Sequence, residues 1–329
     1  MKEPKNFQNL TAEEIVRCYW RGFRLVRVLR WIGCLVCIAW LVPHILYGGS
    51  MVTAVLAFLL YLGYLYVLRL ANSLRFLSLN LILNRDCDPV KFTEVSRLLK
   101  ERLGSRTSGM AGLNMAWGLY WSGRFAEAEK ALTNVELKGK NPQGRLMLRN
   151  LDFNCRLVRG DLDGARYVRQ EAEAVIRNEK PGSVIRKSGG RLLDIMDAAF
   201  AERAGDWETF RRLHDRVSPG NTTEFQRVTA AFSLAKADLA QGEAENARAR
   251  LTCVADHGGT LYVTEEARCL LAEMTYRKAR CLGTALFILT STPALSTGRS
   301  RKTSSRRRAA WYPPRSVPPG YRRRPFRWP

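Results

Sequence analysis

The chain has 329 residues, 46% hydrophobic and 25% charged, with a formal net charge of +23. Its three histidines, His44, His214 and His257, have no metal-ligand spacing, and no Walker-type loop, G-x-S-x-G or H-E-x-x-H is present. The common nucleotide, hydrolase and metalloprotease classes therefore have no foothold, so the chain reads as a non-enzyme with no cofactor.

The charge is uneven. Residues 295–329 hold eleven Lys or Arg and no Asp or Glu, so the rest of the chain carries +12 (23 − 11). The eight cysteines show one close spacing, Cys34-x-x-Cys37, which lies in an apolar segment where small residues are ordinary. Scattered cysteines suit a reducing compartment.

Thr11-Ala-Glu-Glu14 has the capping-box form that satisfies the free amide hydrogens of a helix start. The helix it opens places Ile15, Tyr19, Phe23 and Val26 on one side and Arg17, Arg21 and Arg24 on the other. Residues 1–30 thus read as a basic amphipathic segment, suited to anionic lipid headgroups or to the water-exposed start of a membrane helix.

Residues 31–68 contain no Asp, Glu, Lys or Arg. As one helix these 38 residues would reach roughly 57 Å, nearly twice the hydrocarbon thickness of a bilayer. Gly48-Gly49-Ser50 divides the run near its middle, which predicts two short spans, 31–47 and 51–68, folded as a transmembrane hairpin within 31–70. Arg21, Arg24, Arg27 and Arg30 precede the hairpin and Arg69, Arg75 and Arg85 follow it, whereas its loop is uncharged. Both termini are therefore expected in the cytosol, in an integral protein of the plasma (inner) membrane. No cleavage site follows the first span, so the hairpin is expected to persist in the mature chain.

Residues 71–106 read as connecting and entry helices. Asp88 is a good N-cap, Pro89 suits the first helical position and Gly104 the stop. Phe92, Val95, Leu98, Leu99 and Leu103 give one apolar face.

Residues 107–290 carry a repeat. Four segments pivot on a glycine: WSG123-RFAEA, VRG160-DLDGA, RAG205-DWETF and AQG242-EAENA. Two residues after each glycine, Phe125, Leu162, Trp207 or Ala244 is placed to fill the corner. Five residues after stand Ala128, Ala165, Phe210 and Ala247; seven before stand Ala116, Phe153, Ala198 and Ala235. This pattern resembles the tetratricopeptide (TPR) repeat family, most clearly in GLYWSGRFAEAEKAL and next in RLVRGDLDGARYV. The step of 45 residues between Gly160 and Gly205, against 37 elsewhere, predicts an insertion around 180–190. A fifth first helix is expected at 265–280.

The resemblance implies an all-α fold: a TPR-like α-solenoid of about four to five helix pairs behind the hairpin, with a concave groove for a protein or peptide partner. Carried over by their offset from the turn glycines, the groove positions are Trp117, Trp121, Asn150, Asn154, Arg203, Phe232 and Lys236. Val158 and Ala240 fall at the same offsets and are apolar. The leading expectation is thus a membrane-anchored adaptor or scaffold.

Residues 291–329 mix Ser, Pro, Arg and aromatics without periodicity, a composition that cannot bury a core and predicts disorder. Interleaved Arg and aromatic residues could hold nucleic acid or anionic lipid, the alternative function for this chain. The loss of acidic residues after Glu273 also fits a tail read in a shifted frame.

Overall fold

The computed structural model describes residues 7–102, 105–137, 142–220 and 222–290, leaving out the side chains of 105–108 and 277–290. The chain forms two compact units, Met1–Ala279 and Arg280–Pro329; of the second, residues 280–290 are described and are helical. Among the described residues every regular element is a helix.

Helix α1 (Ala12–Leu46) starts at the expected capping box, with Thr11 Oγ1 accepting from Glu14 N and the Glu14 carboxylate accepting from Thr11 N. It continues unbroken for 35 residues, passing the boundary expected at residue 30. Helix α2 (Met51–Ser78) begins at Ser50, whose hydroxyl accepts from Val52 N. Between them Gly48 sits at φ +70°, and His44 Nε2 lies 2.9 Å from Ser50 O and 2.6 Å from Thr53 Oγ1. Trp40 stacks on His44 at 4.7 Å, so these two side chains close the loop. Tyr64 Oη donates to Leu29 O at 2.7 Å and Arg75 Nη1 to Gly22 O at 2.9 Å, which sets α1 and α2 side by side in opposite directions. Both helices are long and apolar enough to cross a membrane, and almost none of their most apolar residues are buried by the protein.

The first turns of α1 do not lie free for a lipid surface. Ile15, Val16 and Tyr19 are buried in one core with Ile82, Phe92 and Val95. Burying each such side chain is worth about 1.5–3 kcal/mol, so the protein itself covers the start of the apolar face for which lipid headgroups are one of the two expectations above. The arginines of that segment, Arg17, Arg21 and Arg24, stay exposed.

A short helix α3 (Leu81–Asn84) leads to α4 (Pro89–Arg102), where Asp88 Oδ1 accepts from Lys91 N as its position predicts. Four helix pairs follow: α5 (Ser105–Trp121) with α6 (Phe125–Thr133), α7 (Pro142–Arg159) with α8 (Leu162–Arg177), α9 (Val184–Ala204) with α10 (Trp207–Val217), and α11 (Glu224–Gln241) with α12 (Ala244–His257). Helix α13 (Tyr262–Thr290) closes the series, starting three residues before the expected fifth first helix. The longer step between Gly160 and Gly205 lengthens α8 to 16 and α9 to 21 residues, with residues 178–183 between them, instead of adding a separate loop.

The four corners share one geometry. Gly123, Gly160, Gly205 and Gly242 take φ of +79°, +84°, +73° and +82°, a region that penalises a Cβ. At each, the next residue donates its N–H to the carbonyl five back: Arg124 to Leu119, Asp161 to Arg156, Asp206 to Ala201 and Glu243 to Asp238. These bonds satisfy the last carbonyls of the first helix. Ala128, Ala165, Phe210 and Ala247, and Ala116, Phe153, Ala198 and Ala235, are all buried where the paired helices cross. The expected corner filling is only half realised, because Leu162 and Ala244 are exposed.

Neighbouring pairs are joined by arginine and lysine. Arg159 reaches Glu129, Arg169 holds Asp197 through two bonds of 2.8 Å, and Arg211 reaches Asp238.

The last helices return to the first. Val228, Phe232, Leu251, Val254, Leu261 and Val263 share one core with Phe92, Val95 and Leu99 of α4. Thr260 N donates to Cys87 O at 3.1 Å and Thr260 Oγ1 to Asp88 Oδ1 at 3.0 Å, across 172 residues. Gly259, at φ +54°, permits this approach, because a Cβ there would stand 2.5 Å from Cys87 O. An array of helix pairs must cover the apolar faces at its ends. Here α4 and the start of α1 help cover the last one.

Candidate partner-binding surface

The seven candidate side chains fall into three groups. Trp117 and Trp121 stand one turn apart on α5, half-buried, with ring centroids 6.3 Å apart. Trp121 meets Phe225 of α11 at 4.8 Å and stacks on Tyr262 of α13 at 5.7 Å. Tyr262 also packs edge-on against Tyr120 at 6.2 Å and Phe125 at 5.2 Å. This aromatic cluster plugs the place where the array meets itself. The expected exposure of Trp121 to a ligand gives way to an internal contact. Its indole Nε1 is buried there with no hydrogen-bond partner.

Phe232 is a second correction. It is 4% exposed, in the core beneath α11, because the return of α11 onto α4 turns that face inward. Lys236, one turn later, pairs with Glu202 of α9 and lies 5.1 Å over the Phe232 ring. Arg203 Nη2 donates to Leu157 O at 2.9 Å, near the end of α7. Lys236 and Arg203 thus each tie a first helix to the one before it.

Asn150 and Asn154 differ. Asn154 Nδ2 donates to Asn150 O at 2.7 Å and to Asn150 Oδ1 at 3.0 Å, an arrangement that fixes both amides on α7. Asn150 lines an open pocket of about 160 Å³ between α7 and α9, with Gln143 and Ser188 as polar walls and Leu146, Met147 and Leu192 as apolar ones. Ligand sites for small molecules run to roughly 300–1,000 Å³. This one has the size for a single side chain.

Nucleophilic chemistry has little support nearby. Burial, reinforced by Glu224 and Asp86, pushes the Cys87 thiol up to about 12, and burial with Glu129 does the same to Cys155. Both stay protonated at neutral pH and are poor nucleophiles. Burial also raises the Tyr120 and Tyr262 phenols. Among the described residues no group of three His, Cys, Asp or Glu is arranged to hold a metal ion.

His214 on α10 titrates with consequences for stability. Burial lowers its pKa below the ordinary 6.5, opposed by Asp215 and Glu202. Below about pH 6.5 the unfolded chain then binds the proton more readily than the folded one, so stability falls as pH drops from 6.5 through the folded value. Urea unfolding of the full chain at pH 7.5 and 5.5 is expected to show a loss that shrinks in His214→Gln. An equal loss in both proteins would exclude His214 as its source.

The sequence pattern located the turn glycines, and with them the first helices, but it missed the pocket. The signal available was the run Ser188-Gly189-Gly190: a buried Gly189, whose Cβ would meet Ile176 at 2.5 Å, lets α9 sit low against α8 and opens the space beside Asn150.

No protein-family model, no curated protein and no solved structure matches this chain.

Proposed function

We propose that the chain is a membrane-anchored, TPR-like adaptor. In this reading α1 and α2 form a transmembrane hairpin with both termini in the cytosol, at the plasma (inner) membrane. The helix pairs form a TPR-like solenoid beside the inner leaflet, and the α7–α9 surface takes an extended segment of a partner protein. The observation that carries it is the combination, in one compact unit, of two unburied apolar helices with four helix pairs turning on equivalent glycines. The arginines at 21, 24, 27, 30 and 69 are exposed where these helices leave their apolar run, which supports a cytosolic side there. Anchoring raises the effective concentration of the adaptor near membrane clients without any new contact.

Asn150 would hold the backbone of the bound segment and the adjoining pocket would take one apolar side chain. The test is selection of peptides from a displayed library by the full chain in lipid nanodiscs. Selected peptides should share one apolar anchor, and Asn150→Ala should weaken them about tenfold, the worth of one hydrogen bond at roughly 1.4 kcal/mol. Peptides that bind Asn150→Ala as well as the parent chain would remove the α7–α9 assignment. Deletion of residues 291–329, which lie outside the described residues, separates the alternative: the adaptor keeps its peptides, whereas a tail acting on nucleic acid or anionic lipid loses its ligand.

A further inference from the structure

We propose that a second copy of this chain packs along α2, and the inference rests on the membrane-anchored reading above. One face of α2 carries an unbroken heptad. Leu56, Gly63, Leu70 and Leu77 occupy one of its apolar positions, and Leu60, Val67 and Leu74 the other. The six side chains are between 45% and 76% exposed, and a Cβ on Gly63 would touch nothing. A different face, turned about 100° from the stripe, is spent on α1, through Tyr64 to Leu29 and Arg75 to Gly22.

Lipid needs no periodicity, and the decisive part of the stripe lies beyond lipid. The two hydrogen bonds fix the register, which sets Leu70 and Leu74 level with the part of α1 between Gly22 and Leu29. At that level α1 presents Arg24 and Arg27 to solvent. Acyl chains covering Leu70, Leu74 and Leu77 would have to cover those guanidinium groups as well, at a cost of several kcal/mol. Protein is the better cover.

A second copy suits the stripe on three counts. Copies inserted the same way run parallel, so the stripe meets itself in register as a two-fold pair. A repeat of 3.5 residues is the spacing of helices that wrap left-handed around each other. The flanking Ala71, Ser73 and Ser78 are uncharged and set no like charges face to face. With roughly 100 Å² of apolar surface on each of the six side chains, the pair would bury about 1,200 Å² in total. That reaches the lower end of the 1,200–2,000 Å² range of stable interfaces.

The test uses the full chain in its native membranes, in two differently tagged copies, with a photo-crosslinking residue at Leu74 or at Arg69, which lies off the stripe. Leu74 is expected to give at least tenfold more mixed-tag product, at twice the 37.4 kDa chain mass. With the probe at Leu70, the double change Leu74→Ala and Leu77→Ala should cut the product at least tenfold. Protease resistance checks that the variant remains folded. Crosslinks to another protein, or none from Leu74, overturn the pairing. An alkaline carbonate wash of the same membranes tests the anchor separately. A retained chain without mixed-tag product refutes the pairing alone. Release with the product intact refutes the anchor and supports the stripe.

Discussion

Asp238→Ala is expected to lower the unfolding free energy by about 3 kcal/mol, near the lower end of the loss that follows removal of one partner from a buried ion pair. Asp238 is fully buried on α11. Its Oδ1 accepts from Arg211 Nη2 of α10 at 2.7 Å, and its Oδ2 from Arg250 Nε of α12 at 2.8 Å. One carboxylate therefore fastens three helices. Arg211 and Arg250 are 30% and 39% exposed, so each regains part of its hydration once the carboxylate is gone, which holds the loss near 3 kcal/mol. Glu101→Gln is the matched comparison: it breaks the Arg97–Glu101 pair, in which both partners are about half exposed, and should change stability by less than about 0.5 kcal/mol. Urea midpoints of the two variants in nanodiscs decide it. An Asp238→Ala chain within 1 kcal/mol of the parent would mean that the three helices do not depend on that carboxylate.

Trp121→Ala should also cost stability, about 3 kcal/mol, because the indole fills the junction between Phe225 and Tyr262 and truncation leaves a cavity there. Trp121→Phe provides the sharper contrast. It keeps much of the ring contact and removes an indole N–H that is buried without a partner, a group that costs about 1–3 kcal/mol to leave unsatisfied. The Phe variant is therefore expected within about 1 kcal/mol of the parent. Thermal unfolding of both, read by circular dichroism, tests the assignment. A Trp121→Ala chain that melts like the parent but loses its peptides would return Trp121 to a binding role.

The parts of this fold that could be read from sequence are those with short-range causes. A positive φ forces glycine at four corners, small or tightly packed residues follow where helices cross, and a charge-free run of 38 residues announces two unburied helices. The Thr11 box and the Asp88–Pro89 start are local hydrogen-bond arrangements and were equally legible. What escaped was what covers each apolar face. The pattern Ile15, Tyr19, Phe23 announces an apolar side but is the same whether lipid or protein lies against it. Trp121 meets Phe225 and Tyr262, residues more than a hundred positions away, and no periodicity signals that approach. The groove assignment failed at Phe232 for the same reason, since an offset from a turn glycine holds only while the array stays open.

The junction of Thr260 with Cys87 also bears on how the protein is made. Open arrays can grow one repeat at a time and fray from their ends, since each repeat leans only on its neighbours. Here the two ends are clasped across 172 residues, so a large loop must close before the core shared by α4, α11 and α13 can form. Such distant pairing slows folding and couples all the intervening helices into one cooperative event. During synthesis the chain would already hold α1 and α2 and four helix pairs before the residues that lock them emerge. The part of the α4 apolar face that meets α11 and α13 would stay uncovered until they dock, the period in which this protein is most exposed to aggregation or to a chaperone.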